Sequence, residues 1–139
     1  DDAANPPAQY PLRLLTPHSK WRIHSTYGNN PWMEEIHGGR PPVLMHPDDA
    51  AARGVTTGDR AVVTSAVASV VAPVEVTDRM LPGVVSLPHG FGHSRAGIRM
   101  AIARRHAGVS CNDITDELAL DALSGNAAVN GILVEVSPI

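Results

Sequence analysis

Two histidines, two serines, two threonines, a tryptophan, a tyrosine and the chain's single lysine fall within one short stretch, Leu14 to Tyr27. They follow an apolar run, Leu12 to Leu15, that reads as the end of a strand. Polar groups gathered this densely cost stability when buried unless each finds a hydrogen-bond partner, so the loop reads as a ligand grip. Imidazoles, hydroxyls and one ammonium suit a flat, polar heterocycle that carries phosphates. They suit a metal ion less well, because the loop holds no carboxylate or thiol. The candidate contacts here are Thr16, His18, Ser19, Lys20, Trp21, His24, Ser25 and Thr26. Every other cation outside histidine is an arginine, and the lone Lys20 in such a loop is read as a phosphate contact. Trp21 reads equally as a stacking platform or as a staple holding the loop to the fold.

A second chemical region runs from Pro88 to Asn126. His89-Gly90-Phe91-Gly92-His93 has two glycines that let a backbone approach a ligand closely. No Lys-Ser or Lys-Thr pair follows, so it is not a P-loop. Asn112-Asp113-Ile114-Thr115 offers amide, carboxylate and hydroxyl groups in a row. Other residues have plainer readings. His46 and the Asp48–Asp49 pair sit where a helix should start, and capping and the helix dipole account for them. His37, His93 and His106 are read as surface or loop residues, and Cys111 as a small buried hydrophobe.

The elements that must position these residues are mostly strands. Arg13–Thr16, Pro41–His46, Arg60–Ser65, Val67–Thr77, Val84–Leu87 and the segment after Gly131 have strand character. Short helices are expected over Pro47–Arg53, stopped by Gly54, and within Ile98–Ala107. With only 4% aromatic residues, the interior must be built from branched aliphatics, and Val62, Val70, Val74, Val76, Val85 and Val134 are expected to point inward. The 139 residues make one domain, 12–139, after a polar, proline-rich linker, 1–11. The start without methionine favours a piece of a longer chain, and no apolar run reaches membrane-span length. A net charge of −3 argues against nucleic acid, and one cysteine excludes an internal disulfide and a self-contained iron–sulfur cluster.

Four segments, in order and spacing, resemble one family: Leu14–Tyr27, His46–Asp59, Asp78–Val85 and Asn112–Thr115. It is the molybdopterin dinucleotide-binding domain of the dimethyl sulfoxide reductase superfamily, and the resemblance spans about Tyr10 to Val136. The wording of His18 to Tyr27 is most similar to the branch that includes respiratory nitrate reductases. Ile114 stands where the family usually has leucine.

The resemblance implies a mainly β fold, the double-psi β-barrel of the aspartate-decarboxylase-like class, with short helices. It implies a molybdenum (or tungsten) bis(molybdopterin guanine dinucleotide) cofactor shared with other domains. By motif match His18, His24, Ser25 and Thr26 are pterin or phosphate contacts, His89 belongs to the same cavity, and Asn112 and Thr115 lie in the cofactor loop. No residue matches a catalytic group or metal ligand, so the isolated chain is expected to turn over no substrate. The implied partners are the remaining domains of a parent oxidoreductase and, at one remove, an electron-transfer subunit. Prokaryotic cytoplasm and periplasm both stay open. From a different class, a double-psi barrel serving as a protein-interaction or substrate-recognition module would not need the polar loop. A self-processing decarboxylase would need a Gly-Ser cleavage site, and the chain has none.

Overall fold

The computed structural model describes residues 6–37 and 41–139. Strands β1 (Leu12–Leu15), β2 (Val43–Met45), β3 (Arg60–Thr64), β4 (Ser69–Val76), β5 (Val84–Ser86) and β6 (Ile132–Pro138) close into one barrel in the order β1-β5-β2-β4-β3-β6. Two pairs, β1·β5 and β2·β4, are parallel, and the others are antiparallel. This is the double-psi arrangement. Closure leaves no free sheet edge, so every strand pairs on both sides.

The interior is lined by alternate residues of each strand. Leu12, Leu14, Val43, Met45, Ala61, Val63, Ala72, Val74, Val85, Val134 and Val136 are buried, and Val70 and Val76 pack partly buried against them. Val62 does not point inward as expected. In β3 the inward phase belongs to Ala61 and Val63, in register with Ala72 and Val70. Adjacent valines hide the phase of alternation, and the small Ala61–Ala72 pair that fixes it reads as weakly hydrophobic. A narrow barrel needs small side chains at such crossings.

Helix α2 (Pro47–Arg53) forms as expected: His46 Nδ1 accepts from the Asp48 N–H at 3.1 Å, and Gly54 ends it at φ 65. Asp49 accepts from the Gly83 N–H at 2.7 Å, and Arg53 makes a two-pronged bond to Glu135 of β6. The acidic pair is structural. Helix α3 (Ala101–Arg105) is shorter than its expected span, and Met100 gives it no side-chain cap. Asn29, far away in sequence, accepts from the N–H groups of Ile102 and Ala103 instead. Helix α1 (Pro31–His37) was not anticipated, although Asn30 caps the Trp32 N–H and Pro31 opens it. Among the described residues no helix is long and apolar enough to cross a membrane. In the expected linker, residues 7–10 form a turn closed by Tyr10 N–H to the Pro7 carbonyl, and residues 1–5 lie outside the described part.

Candidate functional site

The parallel pairing of β1 with β5 builds the site. Leu15 is registered with Ser86, and the ladder continues beyond both strands: Leu87 N–H donates to the Leu15 carbonyl, and His89 N–H to the Pro17 carbonyl. Carrying that register three residues past Leu15 and Ser86 sets His18 beside His89, whose ring centroids are 4.5 Å apart. The two polar regions of the sequence thus leave the barrel side by side.

The loop after β1 then folds back. Ile23 and Thr26 form a tight bridge, and His24 sits at φ 52, a left-handed conformation that costs a non-glycine residue energy. His24 is thereby brought within 5.0 Å of His89 and 4.8 Å of His18, centroid to centroid. The approach requires Gly90 (φ 90): a Cβ there would lie 2.2 Å from the His24 carbonyl oxygen. Below this loop Arg22 is buried beside the equally buried Glu34 of α1, to which it donates. Burial pulls the Arg22 pKa down, while the charge and hydrogen bond of Glu34 act to raise it. The same guanidinium donates to the Gly90 carbonyl at 3.3 Å and lies 4.0 Å from the Phe91 ring centroid. Arg22 therefore ties both histidine-bearing loops together.

The third contributor is the 3-10 turn Cys111–Ile114. With three residues per turn, Cys111 and Ile114 fall on one side and are buried in the barrel core, while Asn112 faces out. Burial pushes the Cys111 thiol pKa up, as suits a buried hydrophobe rather than a nucleophile. The result is an open cavity of about 630 Å³ whose lining includes Thr16, His18, His24, Ser25, His89 and Asn112. None of its lining residues is acidic. Imidazole, hydroxyl and amide groups around such a space fit an anionic or acceptor-rich ligand.

Other candidates land elsewhere. Lys20 and Trp21 turn outward together, the ammonium 4.6 Å from the ring centroid, and line a separate depression with Tyr27 and Met33. Ser19 accepts the Arg22 N–H through its carbonyl in the turn that sends them there and does not line the cavity. Because Arg22 must point into the core, its neighbours Trp21 and Ile23 are left exposed. Thr26 lines a neighbouring cavity that shares Ser25 with the first. Thr115 spends its hydroxyl on the Cys111 carbonyl at 3.0 Å, fastening the turn. Thr16 does border the site, but its hydroxyl donates to the Val129 carbonyl at 2.7 Å. His93 lies in a loop but is buried, lines the cavity and donates from Nε2 to the Gly90 carbonyl at 3.2 Å, so of the surface-or-loop reading only the loop holds. His106 does lie exposed, near Glu34, and the His37 side chain is outside the described residues. Sequence reading missed Asn130, which accepts the Thr16 N–H at 2.8 Å, and Ser110. Nothing local marks Asn130, whose partner lies 114 residues away, while Ser110 stands directly before the turn that carries Asn112.

Comparison with known proteins identifies the family of the chain. The family described as "Molydopterin dinucleotide binding domain" matches residues 12–133. The trimethylamine-N-oxide reductase of Salmonella typhimurium is 36% identical over 132 residues, covering 92% of this chain and 15% of its own length. That of Haemophilus influenzae is 38% identical over 89 residues, 63% of this chain and 11% of its own. The chain thus spans between a tenth and a sixth of these relatives, and neither is a nitrate reductase. Acetylene hydratase from Pelobacter acetylenicus shares the fold, with a TM-score of 0.70 at 19% identity over 94% of this chain and 18% of its own. The chain belongs to the molybdopterin dinucleotide-binding domain family of dimethyl sulfoxide reductase relatives, built on a double-psi β-barrel.

Proposed function

We propose that this chain holds pterin and guanine nucleotide portions of a molybdenum (or tungsten) bis(molybdopterin guanine dinucleotide) within a larger oxidoreductase. The observation that carries this reading is the meeting of His18, His24, Ser25, His89 and Asn112, from three separate segments, around one cavity without an acidic lining. When bound, the cofactor supplies redox chemistry at its metal; the chain supplies position and electrostatics. Ser25 and Asn112 offer hydroxyl and amide donors to phosphate or pterin oxygens, and the exposed rings of His18 and His24 add N–H donors or stacking faces. Ser25 also borders the neighbouring cavity, so an elongated ligand extends from the first toward Thr26 and Trp32. Lys20, Trp21, Ser19 and Thr115 do not face this cavity and have no assigned contact in this reading. The remaining domains of the parent subunit close the open side, and an electron-transfer subunit serves the whole enzyme.

The chain alone catalyses nothing in this reading, since its one thiol is buried with a raised pKa and its cavity is only partly enclosed. An open site also forfeits desolvation and preorganisation, the terms that make cofactor sites tight. Titration of the 139-residue chain with guanosine diphosphate, followed by amide chemical shifts, should show weak binding with shifts around Ser25, His89 and Asn112. Asn112→Ala and His24→Ala should each weaken it further. Shifts confined to another face, or binding indifferent to both substitutions, would overturn the assignment.

A further inference from the structure

His18, His24 and His89 each offer one ring nitrogen, and these three atoms lie within 4.8 Å of one another. The hydrogen bonds assign the protons. His89 Nδ1 is 2.8 Å from the Thr16 carbonyl, which can only accept, so Nδ1 carries the proton and the neutral ring presents its Nε2 lone pair. That lone pair points at His24 Nδ1, 2.9 Å away, and His24 therefore donates to it. A histidine whose outer nitrogen is held by a backbone carbonyl while the inner one faces other imidazoles has the arrangement that metal-ligating histidines use to fix tautomer and ring orientation.

We propose that His18, His24 and His89 bind one divalent first-row transition metal ion of the zinc class. The site uses histidines that also line the cofactor cavity, so it belongs to the cofactor-free chain, where metal and cofactor exclude one another; its ligands come from both loops that the β1·β5 register brings together. His89 Nε2 and His24 Nδ1 are the ligand atoms on those rings; His24 shifts its proton to Nε2, and His18 contributes its nearer nitrogen. Metal–nitrogen bonds of about 2.0–2.1 Å in tetrahedral geometry set donors about 3.4 Å apart. The observed spacing straddles that value, and the exposed His18 and His24 side chains can close the remainder by rotation while His89 stays anchored. Three neutral imidazoles select zinc, copper or nickel over magnesium or calcium, and they leave a fourth position open to water or an anion. The single loop could not have revealed the site, because the third ligand arrives from 65 residues beyond His24.

The test uses the untagged 139-residue chain, stripped with a chelator, since the closed barrel buries its own core. Calorimetric titration with zinc should give one equivalent, and cobalt(II) should show the intense visible bands of a tetrahedral site. His18→Gln, His24→Gln and His89→Gln should each lower zinc affinity by at least about tenfold, with circular dichroism unchanged at the exposed His18 and His24 positions. His106→Gln should leave binding intact. Less than stoichiometric zinc, an octahedral cobalt spectrum, or affinity unmoved by the three substitutions would overturn the proposal. The nucleotide titration is done without metal and the metal titration without nucleotide, so each reading fails separately.

Discussion

The barrel wall and the site face of this molecule are held by different physics. In the wall, alternate aliphatic side chains converge on a dry interior, and strand register repeats the same contact many times. On the site face, one buried ion pair, a glycine that admits a carbonyl and a left-handed histidine each appear once. Repetition makes the wall tolerant of error. The face depends on single interactions, so a change there should reach farther into the site than a comparable change in the wall.

The sharpest way to break that contrast is at Arg22 and Glu34. Glu34→Ala leaves a guanidinium buried without its carboxylate, a loss on the order of 3–5 kcal/mol. Arg22 also holds Gly90 and Phe91, so the displacement should spread to His24 and His89. Urea denaturation should show the stability loss, and amide shifts of the two histidine loops should move together. If stability falls while those shifts stay in place, Arg22 is a wall residue and the contrast dissolves.

Gly90→Ala isolates the face from the wall. The new Cβ would meet the His24 carbonyl at 2.2 Å, and φ 90 is itself strained for alanine. A cost of about 1–3 kcal/mol is expected, and the separation of His24 from His89 should grow. The readout is weaker guanosine diphosphate or zinc binding, with β-strand amides unperturbed.

What the sequence made legible follows the same division. The strands showed through alternation, and α2 showed through Pro47, the acidic pair and Gly54. The phase of β3 did not, because Val62 and Val63 are chemically identical and only pairing with β4 chooses between them. On the face, residue types announced a grip, and the motif match found His18, His24 and Asn112. Nothing in the spacing could separate outward Lys20 and Trp21 from inward Arg22, since that choice depends on Glu34 in a helix that had gone unread. Asn130 was invisible for a similar reason, since its role is set by the distant backbone amide of Thr16. His93, in contrast, bonds a carbonyl only three residues away, and what its position did not show is its burial against the cavity.

The smallest expected effect lies in the wall, at the turn before β3. Asp59 accepts from both the N–H and the hydroxyl of Thr56 at 2.8 Å, and these bonds hold its carboxyl below the usual value, against a smaller opposing effect of desolvation. A depressed native pKa means that the unfolded chain binds the proton more readily. The contribution of Asp59 is therefore present above the unfolded value of about 3.9 and drains away as pH falls through the lower, folded one. Asp59→Asn should flatten that acid limb of the stability curve while leaving nucleotide binding near neutral pH untouched, because none of this turn lines the cavity. The side chain is fully exposed, so the effect should be small and should shrink further with added salt. An acid limb unchanged by Asp59→Asn would mean that the turn is held by its backbone bonds alone, Asp59 N–H to the Thr56 carbonyl and Val74 N–H to the Asp59 carbonyl. Altered nucleotide binding at neutral pH would be more serious, since it would couple wall to face and remove the division on which the other predictions rest.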